Sequence, residues 1–259
     1  MRASLRTALS DRGFSLPELL VVIVILALMM MALFGTLDVS QKAYSRATAA
    51  EDAQTAARSV LERVATDLRM IGSFYFGAGN AGYPITAFST TSITFLGDVN
   101  GDANTTLSAA SGMNTVLVTS ATGFTQDELI YLASGTLREV ARVAAISGTS
   151  FTLGAPPAAG TWTGLSNLFP SDSIARSVEQ VTWTYDAGAR TITRTDNDGA
   201  VQMMDQVAAF TMTAYDVNGN ATVSLTAIDS VGVELTATAS GGARRTMKIR
   251  VQLRSMRTV

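Results

Sequence analysis

The chain has 259 residues, a formal net charge of −2, no cysteine and no histidine. Without cysteine there is no disulfide framework and no thiol chemistry, and without histidine the commonest general base and zinc ligand are absent. The global charge does not mark a nucleic-acid binder, and the length suffices for one or two modest domains besides a membrane segment.

Residues 1–13 carry Arg2, Arg6 and Arg12 against Asp11 and end in Gly13. Such a basic leader fits the cytoplasmic side of a membrane. The stretch from Phe14 to Gly35 follows, long enough as a helix (~33 Å) to span a bilayer. Its residues Leu19 to Phe34 are uninterruptedly apolar, and one carboxylate, Glu18, stands at the front edge of the run. An acid in hydrocarbon is costly and calls for a partner. In an ordinary single-pass anchor, Glu18 would instead snorkel to the interface. A secretory signal peptide would be cut after its apolar run, at small residues, whereas the Gly13–Phe14 junction precedes the run.

Past Gly35 the sequence turns polar and keeps a helical period. Ala57, Val60, Leu61, Val64, Leu68 and Ile71 recur at three- and four-residue spacing, and Gly72 marks the end. Arg58, Glu62, Arg63, Asp67 and Arg69 are expected to face away from most of that stripe. Residues 36–72 therefore continue the membrane helix as an amphipathic one, ~87 Å in all from Phe14 to Ile71, whose second half should pack against a sheet.

From Ser92 onward the pattern is one of strands and turns. The spacing predicts strands over Ser92–Leu96, Thr115–Thr119, Glu128–Ala133, Leu137–Ile146, Thr149–Leu153, Gln180–Tyr185, Arg190–Thr195, Gln206–Tyr215, Ala221–Ala227, Val231–Thr238 and Thr246–Arg254. In the last, Met247, Ile249, Val251 and Leu253 alternate with Lys248, Arg250, Gln252 and Arg254, giving one buried and one wet face. Asp186-Ala-Gly-Ala and Asp196-Asn-Asp-Gly read as hairpin turns. The fold class is α+β: a long N-terminal transmembrane and amphipathic helix on an antiparallel sheet domain, residues 73–259.

Three clusters are candidate sites. Asp98, Asn100 and Asp102 place oxygen ligands at alternate positions, as in the first half of a calcium loop, but Ala103 and Ala109 stand where a full loop wants Gly and an acid. A solvated Asx-rich turn is the other reading. Arg244, Arg245, Lys248, Arg250, Arg254 and Arg257 form a C-terminal basic set that could meet DNA phosphates, guard an edge strand by charge, or face acidic neighbours. No aromatic residues interleave it, which weakens a single-strand reading. There is no Gly-x-Ser-x-Gly, no phosphate loop, and no His or Cys to activate a serine, so an enzyme is not expected; no cofactor is expected beyond the calcium alternative.

The segment Arg12-Gly-Phe-Ser-Leu-Pro-Glu-Leu-Leu-Val-Val-Ile-Val-Ile-Leu26 resembles the class III signal of type IV prepilins and type II secretion pseudopilins. The resemblance implies cleavage by prepilin peptidase between Gly13 and Phe14, leaving residues 1–13 as the leader and 14–35 as the membrane helix. It further implies N-methylation of Phe14, and a Glu18 that acts in assembly and register. Pro17 falls where many members carry an apolar residue, in a first turn that tolerates proline.

A second, weaker resemblance runs through Asp67-Leu-Arg-Met-Ile-Gly, Ile93-Thr-Phe-Leu-Gly-Asp, Val181-Thr-Trp-Thr-Tyr-Asp and the closing Arg244-Arg-Thr-Met-Lys-Ile-Arg-Val-Gln-Leu. It is similar to W-type minor pilins of type IV pili and J-type pseudopilins of type II secretion, and residues 113–168 depart from it as a β-rich insert. A minor pilin or pseudopilin is implied, with other pilins as partners. It would wait in the inner membrane, its C-terminal domain outside the cytoplasm, before entering a surface pilus or periplasmic pseudopilus. The alternative is a pilus-displayed module, an adhesin or DNA-uptake receptor.

Overall fold

The computed structural model describes residues 15–75, 82–101, 103–156, 162–197, 199–239, 242 and 244–253. The chain divides into two compact units, one reaching Ala49 and one starting at Ala50. Helix α1, Leu16–Arg69, begins in the first and ends in the second. Its start follows local chemistry. Ser15 sits just outside it and its carbonyl accepts the amides of Glu18 and Leu19 at 3.0 and 3.1 Å, while Pro17 occupies the first turn, where its missing N–H costs nothing. Residues 15–44 are exposed, including the whole apolar run.

In the second unit the helix buries Ala57, Val60, Leu61, Val64, Ala65, Leu68 and, just past its end, Ile71. This is the stripe expected from the sequence. Each fully buried aliphatic side chain contributes about 1.5–3 kcal/mol. The stripe packs in one core with Ile93, Phe95, Val181, Trp183, Phe210, Val233, Leu235 and Val251. Asp67 departs from expectation: it is fully buried, not solvent-facing. After Arg69 the chain tightens into turns. Gly72, at φ 79°, donates its amide to the Leu96 carbonyl at 2.8 Å, which ties the helix end to the sheet.

The strands are β1 Ile85–Phe88, β2 Ser92–Gly97, β3 Asn104–Thr106, β4 Thr115–Leu117, β5 Leu129–Ser134, β6 Leu137–Ser147 and β7 Ser150–Gly154. Then come β8 Ile174–Asp186, β9 Thr191–Asp196, β10 Gly199–Met204, β11 Val207–Tyr215, β12 Ser230–Thr238 and β13 Arg244–Gln252. Among the described residues they form a ten-stranded sheet and a three-stranded one, β11-β12-β13, with all pairings antiparallel.

Strand β8 is the spine of the larger sheet. Its second half pairs with β2 and β9, Thr182 facing Thr94 on one side and Thr195 on the other. Its first half pairs with β3 and β5, Arg176 facing Asn104 and Tyr131. The second half packs on the helix. The first half belongs to a separate core of Leu107, Val116, Val118, Phe124, Ile130, Leu132, Val143, Phe151, Phe169 and Ala175. That core draws on residues from Ala103 to Ala175, a wider span than 113–168. Where β8 passes between the two, Ser177, Val178 and Glu179 are buried in succession. There a small third cluster of Tyr75, Leu96, Leu129, Tyr131, Val140 and Val178 covers the junction.

Three strands were not legible: β1, β3 and β10, which are short or exposed. The expected strand Ala221–Ala227 is instead a single bridge at Ala221 and a 3-10 turn over Leu225–Ala227. Val223 is 90% exposed there, and of the alternating apolar residues Leu225 packs against the core, so the segment has no continuous apolar face to hold as a strand.

Candidate functional site

The N-terminal segment is the chain's clearest site. Ser15 and Glu18 sit three residues apart around the helix start, with Ser15 Oγ 3.4 Å from Glu18 Oε2. A carboxylate in the first turn is favoured by the helix dipole. Glu18 is exposed and has no ion-pair partner among the described residues. Beyond it every large apolar side chain from Leu19 to Phe34 is exposed, and the helix is long and apolar enough to cross a membrane. An apolar surface of this extent is not stable in water and requires lipid or the apolar faces of other helices. Gly13 and Phe14 lie outside the described residues.

Inside the globular unit the structure reveals a polar site that the sequence hides. Asp67 Oδ2 accepts Trp183 Nε1 at 3.1 Å and Arg194 Nε at 2.7 Å. Arg63, one helical turn back, places Nε 3.2 Å from Oδ1 as an ion pair; that oxygen accepts no hydrogen bond. Arg194 also binds Asp196. Burial lowers the Arg194 pKa, but the two carboxylates outweigh it and raise it above its ordinary value. The guanidinium is thus a permanent charge, held between helix and sheet. Each partner is offset by another, as a buried charge demands.

Asp98 is 2% exposed. Its Oδ1 accepts the Gly101 amide at 2.8 Å and its Oδ2 pairs with Arg176 at 3.0 Å. The neighbouring Val99 amide goes to Glu179 Oε2 at 2.8 Å. Asp98 thus caps a turn through the Gly101 amide and holds Arg176. No cluster of three acidic, histidine or cysteine side chains suited to a metal occurs among the described residues. Asn100 lies in the same loop, and Asp102 lies outside the described residues.

The basic set is dispersed. Arg244, Lys248 and Arg250 share the outer face of β13, and Arg245 points to the opposite side by strand alternation. Lys248 pairs with Glu234 at 2.9 Å. Arg250 donates to Ser230 Oγ at 3.0 Å and lies 4.1 Å over the Tyr215 ring. Among the described residues β13 is paired on one side only, and charge along an open edge discourages unwanted strand pairing. Arg254 and Arg257 lie outside the described residues.

Comparison with known proteins agrees with the N-terminal geometry. The family model described as the prokaryotic N-terminal methylation motif matches residues 9–34. The chain carries a type IV pilin-like prepilin signal. No curated protein and no solved structure matches it. A signal of this class implies processing by prepilin peptidase and assembly with other pilins, with the apolar helix as membrane anchor before assembly.

Proposed function

We propose that the chain is a minor pilin: a low-copy subunit of a type IV pilus-like fibre or of its tip complex. In this reading prepilin peptidase cuts between Gly13 and Phe14, and Phe14 becomes the methylated N-terminus. The subunit waits in the inner membrane on the helix of residues 14–35, its globular unit outside the cytoplasm. One observation carries the reading. A single carboxylate, Glu18, stands without an ion-pair partner among the described residues at the entrance of an exposed apolar helix, inside the matched signal.

Cleavage would leave an ammonium on Phe14, four positions before Glu18. Two such charges, each costly in hydrocarbon, offset one another when Glu18 of one subunit meets the Phe14 ammonium of its neighbour. The pair also sets the axial register, while the apolar helices bury one another. The bulk of the globular unit, two cores on one β8, favours a low-copy position over a repeated shaft. A J-type pseudopilin of type II secretion would use the same chemistry at the N-terminus.

The test is the intact mass of the membrane-extracted protein, made with and without its prepilin peptidase. Residues 14–259 plus one methyl group, seen only with the peptidase, is the expected result. A full-length mass, or a cut after the apolar run as in a secretory signal, would overturn the reading.

A further inference from the structure

We propose that a groove at the junction of the two cores binds an uncharged oligosaccharide. It is formed by Phe74, by the β5–β6 hairpin with Tyr131, Ser134 and Arg138, and by Asp172 and Arg176 at the start of β8. Its volume is about 500 Å³, within the range of ligand pockets.

Two residues in it hold backbone conformations that side-chain-bearing residues rarely adopt: Phe74 at φ 53° and Asp172 at φ 65°. Left-handed backbone at a bulky residue is costly and clusters where a side chain must be aimed. Here it brings the Phe74 ring out to 40% exposure. The ring is held tilted against Tyr131 with centroids 5.7 Å apart, under the Arg176 guanidinium 4.3 Å away. Arg176 is fixed in turn by buried Asp98. Ile174, 47% exposed, extends the apolar part of the lining.

The polar part presents Arg138 and Asp172, both exposed and both without an ion-pair partner among the described residues. Of the lining charges, Arg176 is neutralised by buried Asp98 behind the groove, which leaves Arg138 against Asp172. A polyanion or polycation gains no net attraction from such a site. What fits is a neutral molecule with an apolar face for Phe74 and Ile174, the exposed apolar residues of the groove, with Tyr131 buried behind Phe74, and, along its edge, adjacent groups that both donate and accept. Arg138 supplies a fork of donors and Asp172 a pair of acceptors. A sugar ring has that combination, with C–H bonds on its face and vicinal hydroxyls on its rim.

The inference goes beyond the assembly reading. Binding is measured on the isolated full chain, and its variants leave Glu18 and the apolar helix intact, so either reading can fail alone. The chain, in micelles of a detergent without a sugar headgroup, is titrated with neutral β-glucan, chitin and galactan fragments. Saturable binding is expected, unchanged when salt is raised to about 0.5 M. It should weaken by about tenfold or more in Arg138→Ala and in Asp172→Asn, and persist in Val201→Ala on β10. Asn tolerates left-handed backbone as Asp does, and circular dichroism confirms that each variant folds. No binding to any of these sugars, equal binding by all variants, or salt-sensitive capture of a polyanion such as heparin would overturn the proposal.

Discussion

Asp67 Oδ2 accepts a hydrogen bond from Trp183 Nε1 at 3.1 Å, so the last turn of the helix is tied to β8 by polar contact inside an apolar core. Arg194 reaches the same oxygen from β9. Apolar packing alone would let the helix slide on the sheet with little penalty. A directional contact between a fixed carboxylate, an indole and a guanidinium specifies one position.

Removing the carboxylate should therefore be expensive. Asp67→Ala leaves Trp183 Nε1 without its acceptor and Arg194 with Asp196 alone. We expect a loss of about 3 kcal/mol, toward the lower end for a broken buried pair. Asp67→Asn keeps an acceptor oxygen and should lose less. The midpoint of urea unfolding of the full chain in micelles measures both; a loss below about 1 kcal/mol for the alanine variant would show that the tether has no weight.

Gly97→Ala should be severely destabilising for a steric reason. A Cβ there would stand 2.2 Å from the Met70 carbonyl oxygen and 3.3 Å from the Gly72 amide nitrogen, both backbone. Neither can rotate away, so the helix end must lift from β2 and break the Gly72–Leu96 hydrogen bond. A drop of roughly 3–5 kcal/mol in unfolding free energy is expected, at the upper end for a point mutation. Normal stability of the variant would contradict the close approach.

The phenols give a pH dependence. Burial raises the pKa of Tyr75, with the Gly82 amide opposing it in part. Burial and, secondarily, Asp229 raise that of Tyr83. A raised folded-state pKa favours the protonated phenol, so this stability is complete below the ordinary value of 10.0 and is lost as pH rises through the folded values. Phenolate absorbance, compared between the chain and its Tyr75→Phe and Tyr83→Phe variants, should show these two phenols ionising later in the folded than in the urea-unfolded chain, together with loss of structure in alkali. Ionisation of Tyr75 and Tyr83 at the unfolded-chain value while the chain stays folded would refute it.

Glu18→Val should separate anchoring from assembly. Replacing the one carboxylate at the edge of the apolar run makes insertion easier, so membrane levels and peptidase processing should be normal. If Glu18 pairs with a neighbour's N-terminal ammonium as proposed, incorporation into sheared fibres should fall by about tenfold or more, because that charge then lacks its partner. Unchanged incorporation would reduce Glu18 to a helix-capping residue beside Ser15.

The prepilin-type signal was legible in the sequence because its chemistry is contiguous: basic residues, glycine, carboxylate and apolar run occupy adjacent positions. The strands with regular alternation, such as β13 and β12, were equally plain. The first half of β8 was not, because Ser177 and Glu179 are polar yet buried. Glu179 is satisfied by the Ser177 hydroxyl and by the amide of Val99, far away in sequence. Asp67 misled for the same reason: within its helix it reads as a surface acid, and only Trp183 and Arg194, more than a hundred residues later, explain its burial. The groove is likewise built from three separated segments, and the backbone angles of Phe74 and Asp172 have no signature in composition.

Strand β8 is shared, not merely adjacent, and this has a mechanical meaning. Each half is bonded on both edges, to β2 and β9 at one end and to β3 and β5 at the other. Tension applied to the second core along the axis of β8 would pull on those ladders lengthwise, so that many hydrogen bonds must yield together instead of unzipping singly. A module joined by a linker would swing when pulled, whereas one built on a common strand passes the load directly to the strand that carries Trp183 and, through Asp67, to the helix.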